Sequence, residues 1–130
     1  MIPLPEDSPE RAVADFVENW SKKRYGKMAE ALLDFVGAPL GKKAGQVKRD
    51  FGHINLSSYE IKAVEDKAAS VSHVRTRLEF SAHDESRIEE LWVRAIYEDH
   101  ENNLLIRGEK GGSWKIVQNS FSEVIYATGV

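Results

Sequence analysis

The four histidines are the residues of this sequence best suited to hold a metal ion or to move a proton near neutral pH. They are His53, His73, His83 and His100. A metal site needs several ligands that converge on one point, commonly as close pairs on one helix or strand. No two of these histidines have that spacing, and His83 and His100 fall at expected strand ends. The sequence therefore predicts no metal site.

Signatures of nucleophilic catalysis and of phosphate binding are missing from the sequence. The chain has no cysteine, which excludes a disulfide framework, thiolate metal ligands and a cysteine nucleophile. No G-x-S-x-G motif marks a serine nucleophile. The stretch "GEKGGS" reads as a hairpin turn, since it lacks the strand–loop–helix context of a phosphate-binding loop. No cofactor is predicted.

The overall composition is that of an ordinary globular protein. The 130 residues are 42% hydrophobic and 30% charged, with a net charge of −3, which suits one domain with a sizeable core. The basic runs "SKKR" and "GKKAGQVKR" are diluted by Glu18, Glu30 and Asp50 and lack interleaved aromatics, so no nucleic-acid partner is predicted. No apolar run approaches the roughly 20 residues that span a bilayer, so no membrane partner is predicted.

The N-terminal stretch "MIPLPEDSPE" has neither the basic nor the apolar region of a signal peptide. Residues 1–7 are expected to form an extended lead-in, and residues 8–130 a single domain. An excised part of a longer native protein would begin in the same way. The compartment is therefore not specified by the sequence, although a cytoplasmic location is the preferred expectation.

Three helices are predicted in the N-terminal part of the chain. Ser8-Pro9-Glu10 combines a capping side chain, a proline at the first helical position and an early acid. Gly26 is expected to end this first helix. The second helix should run from Met28 to Val36 and the third from about Lys42 to Phe51, with Gly52 ending it. The apolar face of the first helix consists of Val13, Phe16, Val17 and Trp20.

Beyond Asn55 the apolar period changes from 3.6 to 2, which is typical of strands. Alternation predicts strands over residues 59–63, 74–80 and 91–97, a short strand at 104–107 and a long last strand at 114–124. Helices come first, and the strands follow without helices between them. This order predicts an α+β fold with an antiparallel sheet, because parallel neighbours would need helical crossovers.

Three stretches carry a resemblance to a known superfamily. They are "SPERAVADFVENWSKKRYGKMAEAL", "SYEIKAVED" and "LLIRGEKGGSWKIVQNS", and the similarity extends over nearly the whole chain. In them the sequence resembles bacterial members of the nuclear transport factor 2-like superfamily, which has the cystatin-like cone fold. The resemblance implies N-terminal helices packed on a curved antiparallel sheet, with a ligand at the open end of the cone. The superfamily includes isomerases, dehydratases, epoxide hydrolases and domains without activity, so the fold does not imply one function.

The resemblance also implies where a pocket would lie, since related enzymes place acids, histidines or tyrosines on the concave sheet face or on the helices facing it. The candidate pocket residues are Asp34, His53, Tyr59, Glu79 and Tyr97. A buried carboxylate with a raised pKa could shuttle a proton there, and a tyrosine hydroxyl could steady an enolate. No catalytic dyad or triad of the related enzymes is matched, however. The preferred interpretation makes Tyr59 and Tyr97 core aromatics with hydrated hydroxyl groups.

The outer face of the predicted sheet carries large apolar residues. In the strand over 91–97, Trp92 and Ile96 flank Arg94 on the side opposite the core row. Such residues on an outer face either meet a partner or leave an exposed patch. We therefore expect a two-fold homodimer that buries Trp92, Arg94, Ile96 and Trp114. The alternative is a β-bulge that turns every aromatic side chain inward.

Two functions are compatible with these patterns. The preferred one is a non-catalytic domain that binds a small apolar ligand or a protein, and the alternative is a small lyase or isomerase using acid–base residues in the cone. An enzyme should show a buried carboxylate or histidine that contacts a second titratable group in a cavity of a few hundred Å³. A binding domain should show a filled or purely apolar cone.

Overall fold

The computed structural model describes residues 7–33, 40–101 and 103–127. Helices α1 (Pro9–Ser21), α2 (Tyr25–Ala31) and α3 (Leu40–Phe51) come first. Strands β1 (Asn55–Ala68), β2 (Val71–Ala82), β3 (Glu85–Asp99) and β4 (Gly112–Ile116) follow, and a 3₁₀ helix (Gln118–Phe121) leads into α4 (Ser122–Ala127). The strands form one curved antiparallel sheet in the order β1-β2-β3-β4. The predicted α+β fold with N-terminal helices on an antiparallel sheet is confirmed.

The start of α1 follows the sequence signal closely. Ser8 has an extended backbone, and its side-chain oxygen accepts a hydrogen bond of 3.2 Å from the Arg11 amide, which satisfies one of the free donors of the first turn. Phe16 and Trp20 are buried, as the apolar periodicity predicts. The Trp20 indole N–H donates to the Phe51 carbonyl oxygen at 3.3 Å, which ties α1 to the end of α3.

The elbow between α1 and α2 does not use the glycine that the sequence suggested. α1 ends at Ser21, and Lys23 takes the left-handed conformation with φ 59°. The Arg24 amide then donates to the Asn19 carbonyl at 2.8 Å and completes the reversal. Gly26 lies inside α2. The prediction that Gly26 ends the helix is wrong, because a lysine in the left-handed region already provides the turn at a modest local cost.

α2 is shorter than predicted. It ends at Ala31, because Leu32 adopts an extended conformation and forms a parallel bridge with Ile116. The Leu33 amide donates to the Ile116 carbonyl at 2.9 Å. The expected helix end at Val36 lies outside the described residues. α3 ends at Phe51 as predicted, and the Gly52 amide donates to the Lys48 carbonyl at 2.8 Å.

The two faces of the sheet are defined by β2, whose residues alternate in burial along its whole length. Its even-numbered residues are buried, and we call their side the inner face. Its odd-numbered residues are half-exposed on the other side, the outer face. β2 and β3 pair without interruption from Val71–Ile96 to Ala82–Glu85, so facing residues share a face throughout. β1 pairs with β2 through three register shifts.

The centre of the core is an aromatic cluster made of Phe16, Trp20, Phe51 and Phe121. Neighbouring ring centroids are 4.9–5.8 Å apart, and most pairs meet edge to face, which is the favoured geometry for aromatic pairs. The cluster joins α1, α3 and the 3₁₀ helix.

The aromatic cluster explains why the predicted last strand is wrong. β4 ends at Ile116, and the chain turns into the 3₁₀ helix and α4 instead of continuing extended to Val124. This turn brings Phe121, Val124 and Ile125 into the core together. In a strand, Phe121 and Val124 would face opposite sides of the sheet.

The short strand predicted over residues 104–107 is also wrong. Leu104 forms a single isolated bridge with Glu98. The segment then leaves the sheet, because the Arg107 side chain donates to the carbonyl groups of Ala68 and Val71 in the β1–β2 turn. The loop is thereby held over one end of the inner face.

Candidate functional site

The structure does not bring the predicted pocket residues together. Asp34 lies outside the described residues. His53 is half-buried after α3, with its Nε2 atom 3.4 Å from the Ile125 carbonyl oxygen and its ring centroid 6.3 Å from that of His83. It contacts no carboxylate in the hydrogen bonds and ion pairs of the described chain.

Tyr59 lies on β1 and faces α1. Its hydroxyl donates to Glu18 Oε2 at 3.2 Å. Burial raises the pKa of Tyr59, and the neighbouring Glu18 carboxylate raises it further. The pKa of Glu18 is lowered, chiefly by its hydrogen bond with Lys22. This is a contact between two titratable groups, but the carboxylate is 41% exposed and favours its charged form.

Tyr97 lies on the inner face of β3 at the opposite end of the sheet. Its hydroxyl donates to the Glu109 carbonyl at 2.5 Å, and burial raises its pKa. Its ring contacts Trp114 at 5.0 Å between centroids. Gly112 lies directly against this ring, where a Cβ atom would come within 2.6 Å of it. Tyr97 is therefore enclosed by the loop that follows β3.

Arg107 fastens that loop to the β1–β2 turn. Its guanidinium forms an ion pair with Asp66 and donates to Ser72 Oγ at 3.2 Å. The pKa of Asp66 is lowered by its hydrogen bond from Ser72 and by Arg107. The guanidinium also lies 5.6 Å from the centre of the Trp114 ring. These contacts cover the inner face at the end of the sheet next to the β1–β2 turn.

Glu79 is the one predicted pocket residue that lines a described cavity, and it does so on the outer face. The cavity has a volume of about 500 Å³ and opens on the surface beside the β2–β3 hairpin. Ser58 and Arg77 bond to the Glu79 carboxylate at 2.8 and 3.1 Å and lower its pKa. The other lining residues are Ser57, Phe80, Ser81, Ser86, Arg87 and Ile88.

The predicted pocket residues do not converge on one site. Tyr59, Tyr97 and Glu79 each have a structural partner, and they belong to three separate places in the fold. Among the described residues, no group of three or more histidine, aspartate or glutamate side chains lies close enough to hold a metal ion. In the same part of the chain, no helix is long and apolar enough to cross a membrane.

The outer face carries an exposed tryptophan. Trp92 is 37% exposed in the middle of β3, opposite Arg75 of β2. The Arg75 guanidinium lies 5.4 Å from the centre of the indole and also forms an ion pair with Glu90 at 3.0 Å. These contacts hold the indole in place on the surface, since cations bind the face of an aromatic ring.

Trp92 belongs to an apolar stripe along the outer face of β3 that consists of Ile88, Trp92 and Ile96. Ile88 is 57% exposed and Ile96 is half-buried. The sequence interpretation named Trp92 and Ile96 but missed Ile88. Extending the same two-residue period back by four positions would have found it.

Arg94 and His73 form a facing pair beside the stripe. Arg94 is exposed, and within the described chain its guanidinium has no ion pair. The Nε2 atom of His73 is buried without a hydrogen-bond partner in the described structure. Burial lowers the pKa of His73, and the positive charges of Arg94 and Lys67 lower it further. Glu65 opposes this effect.

Trp114 is not part of the outer face, which corrects its place in the predicted dimer surface. In β4 it pairs with Tyr97, so its side chain points to the inner face, where it is only 7% exposed. The outer-face neighbour in β4 is Lys115, which faces Ile96. The facing of Trp92 also shows that no bulge turns this tryptophan inward, because the β2–β3 register is unbroken.

The comparisons with known proteins show similarity in the fold. No family model and no curated protein matches this sequence. A SEC-C motif containing protein from Psychrobacter arcticus is similar in structure, with a TM-score of 0.62 and 10% identity over 90% of this chain. The present chain spans about 62% of the length of that protein.

A ketosteroid isomerase-like protein from Erwinia carotovora atroseptica is similar over 83% of this chain and 87% of its own, with 18% identity and a TM-score of 0.50. A LEH-like epoxide hydrolase from M. tuberculosis aligns over 95% of this chain and 94% of its own, with 13% identity and a TM-score of 0.44. At these identities the likeness concerns the fold alone. The chain therefore shares with these structures an α+β fold in which helices pack on a curved antiparallel sheet.

Proposed function

We propose that this chain is a non-catalytic binding domain that associates with a second copy of itself through the outer face of its sheet. The observation that carries the proposal is the exposed Trp92, which is held by Arg75 between Ile88 and Ile96. A tryptophan at the centre of an apolar stripe with charges around it has the composition of an interface centre. An indole that is already fixed in place loses little side-chain entropy on binding.

The charges around the stripe favour a second copy as the partner. Three arginines of the outer face, Arg75, Arg77 and Arg94, lie among Glu60, Glu79 and Glu90. A two-fold axis brings the same patch of both subunits together, so each patch must be complementary to itself. A face with both signs of charge meets this condition, whereas a face of one sign would repel its copy.

The interior supports a binding role more than a catalytic one. The aromatic cluster fills the core between the helices and the sheet, and the loop held by Arg107 covers Tyr97. The cavity of about 500 Å³ opens on the outer face, and another of about 240 Å³ lies at the surface beside Ser8 and Trp114. A small apolar ligand in the cone, the other partner expected from the sequence, would have to displace packed side chains.

The alternative of a lyase or isomerase would depend on the contact between Tyr59 and Glu18. A carboxylate that shuttles a proton near neutral pH needs a raised pKa. The pKa of Glu18 is lowered by Lys22, and the carboxylate is largely solvated. The comparisons favour neither function, and the electrostatics of this contact favour binding.

Sedimentation equilibrium tests the proposal. At micromolar concentration we expect a species of twice the 14.7 kDa chain mass. Trp92→Ala should weaken self-association by at least about tenfold, which corresponds to about 1.4 kcal/mol. Lys27→Ala, at an exposed site of α2 on the helical side of the sheet, is the matched control and should associate as the unchanged chain does. A monomer at all concentrations, or a Trp92→Ala variant that associates normally, would contradict the proposal.

A further inference from the structure

We infer that the edge of β3 over residues 86–92 binds an extended peptide segment of a partner protein as an added strand. We call this stretch the open edge. β2 pairs with β3 along one side from Glu85 to Ile96. On the other side, β4 pairs only from Ala95 to Asp99. Within the described residues, no strand lies against the open edge.

Alternate residues of the open edge point their backbone N–H and C=O groups toward the free side. The Arg94 amide donates to Ser120 Oγ at 2.9 Å, and the Arg94 carbonyl accepts from the Val117 amide at 3.0 Å. The 3₁₀ helix region that supplies these partners lies on the side of β3 away from β2. Backbone groups alternate sides along an antiparallel strand. Ile88, Glu90 and Trp92 therefore also direct their N–H and C=O groups to the free side, where the described chain supplies no partner.

No strand of the described chain pairs with the free edge of β1 either, but this edge is protected. β1 has three register shifts, and Lys62 and Lys67 lie on it. Bulges and lysines are the features with which proteins prevent strand addition at an edge. The β2–β3 register has no bulge, and residues 86–92 contain neither lysine nor proline. The regular edge of β3 is therefore the better template for an added strand.

The side chains along the open edge indicate the chemistry of the peptide. Ile88 and Trp92 present exposed apolar surface on the outer face, so apolar or β-branched residues should face them. Glu89 is half-buried, and it has no ion pair in the described chain. A lysine or arginine facing Glu89 would complement this acid. β2 already shows such a pair, since Arg77 faces Glu90 across the ladder. Main-chain hydrogen bonds would supply affinity and these side chains would supply specificity.

A suitable probe is a fluorescein-labelled peptide with the sequence of residues 74–81, VRTRLEFS, because this segment already pairs with β3. Binding to the intact chain is measured by fluorescence anisotropy. We expect saturable binding, and a peptide N-methylated at alternate amides should bind at least about tenfold more weakly, because methylation removes donors to the edge. The N-methylated peptide tests the inference without any change in the protein.

Substitutions locate the binding on the edge. Glu90→Pro removes an N–H group that points away from β2, a position where a sheet tolerates proline, and it should weaken peptide binding by at least about tenfold. Lys62→Pro places the same residue in a bulge of the β1 edge and is the matched control. It should bind the peptide as the unchanged chain does.

Several results would overturn the inference. They are absence of saturable binding, equal binding of the N-methylated peptide, and loss of binding in Lys62→Pro but not in Glu90→Pro. The inference would also be overturned if the chain does not bind the peptide and self-association is lost in Glu90→Pro but retained in Trp92→Ala. That result would assign the edge to a second copy. The inference does not depend on the proposed dimer, because Trp92→Ala leaves the edge backbone intact.

Discussion

The inner and outer faces of the sheet are made from the same strands but are completed in different ways. In β2, Val74 and Leu78 are fully buried, whereas Arg75 and Arg77 remain half-exposed between them. The inner face meets helices, the aromatic cluster and a fastened loop. The outer face carries an exposed tryptophan and no covering element in the described chain. The inner face is thus completed within the chain, whereas the outer face is left open in its described part.

Polar groups follow the same division. On the inner side, the Tyr97 hydroxyl and the Arg107 guanidinium have partners that hold chain segments in place. Such bonds stabilise buried polar groups but leave little freedom for chemistry. On the outer side, the Arg94 guanidinium and the free-side backbone groups of Ile88, Glu90 and Trp92 lack partners in the described chain. The outer face therefore carries polar groups that the described chain leaves without partners.

Replacing one tryptophan on each side of the sheet should give the largest difference in stability between the faces. Trp20→Ala leaves a cavity in the aromatic cluster and removes the hydrogen bond to the Phe51 carbonyl, so we expect a loss of about 3–5 kcal/mol in the free energy of unfolding. Trp92→Ala should cost less than about 1 kcal/mol when measured on the monomer. Urea unfolding at low protein concentration gives both values. Similar losses of stability in the two variants would contradict this difference between the faces.

Two glycines test the packing of the helices that cover the inner face. A Cβ atom at Gly52 would lie 2.3 Å from the Lys48 carbonyl oxygen, whereas one at Gly26 would meet nothing within 4 Å. Gly52→Ala should therefore lower the unfolding free energy by about 1–3 kcal/mol, because backbone must shift. Gly26→Ala, the matched control in α2, should be neutral or stabilise by about 0.5–1 kcal/mol. Thermal unfolding of the two variants measures these changes. An equal loss of unfolding free energy in both would contradict the close packing around Gly52.

The smallest expected effect is a pH dependence from the outer face. The pKa of His73 is lowered from 6.5 in the folded chain, so the unfolded chain binds a proton first as the pH falls. The contribution of His73 to stability is then complete above pH 6.5 and declines below it. His73→Gln should flatten the slope of unfolding free energy against pH just below 6.5. An unchanged slope in this variant would show that His73 is not the group responsible.

Local signals in the sequence were sufficient for the parts of the fold that depend on local energetics. The Ser8 cap and the α1 apolar face were predicted, and the alternation in β2 and β3 gave the facing of Trp92. The elbow at Lys23 was missed, because a left-handed lysine has no distinctive local pattern. The turn after Ile116 depends on the distant aromatic cluster, which no local window contains.

The candidate site was predicted only in part, because a local pattern identifies the face on which a residue lies but not its distant neighbours. Alternation identifies Trp92, Arg94 and Ile96 as outer-face residues, and the same rule would have added Ile88. The open edge could not be predicted, because it exists only where β4 ends early. The burial of the His73 Nε2 atom likewise depends on neighbours from β1 and β3 that the sequence does not identify.

Acrylamide quenching of tryptophan fluorescence over a range of protein concentrations tests the central claim most directly. Of the three tryptophans, Trp20 and Trp114 are buried and Trp92 is exposed, so quenching reports mainly on Trp92. If the outer face binds a second copy, quenching should fall as the concentration passes through the self-association range. Trp92→Phe should remove this dependence. Quenching of the unchanged chain that stays constant while sedimentation shows a dimer would contradict the account, because Trp92 would then lie outside the interface.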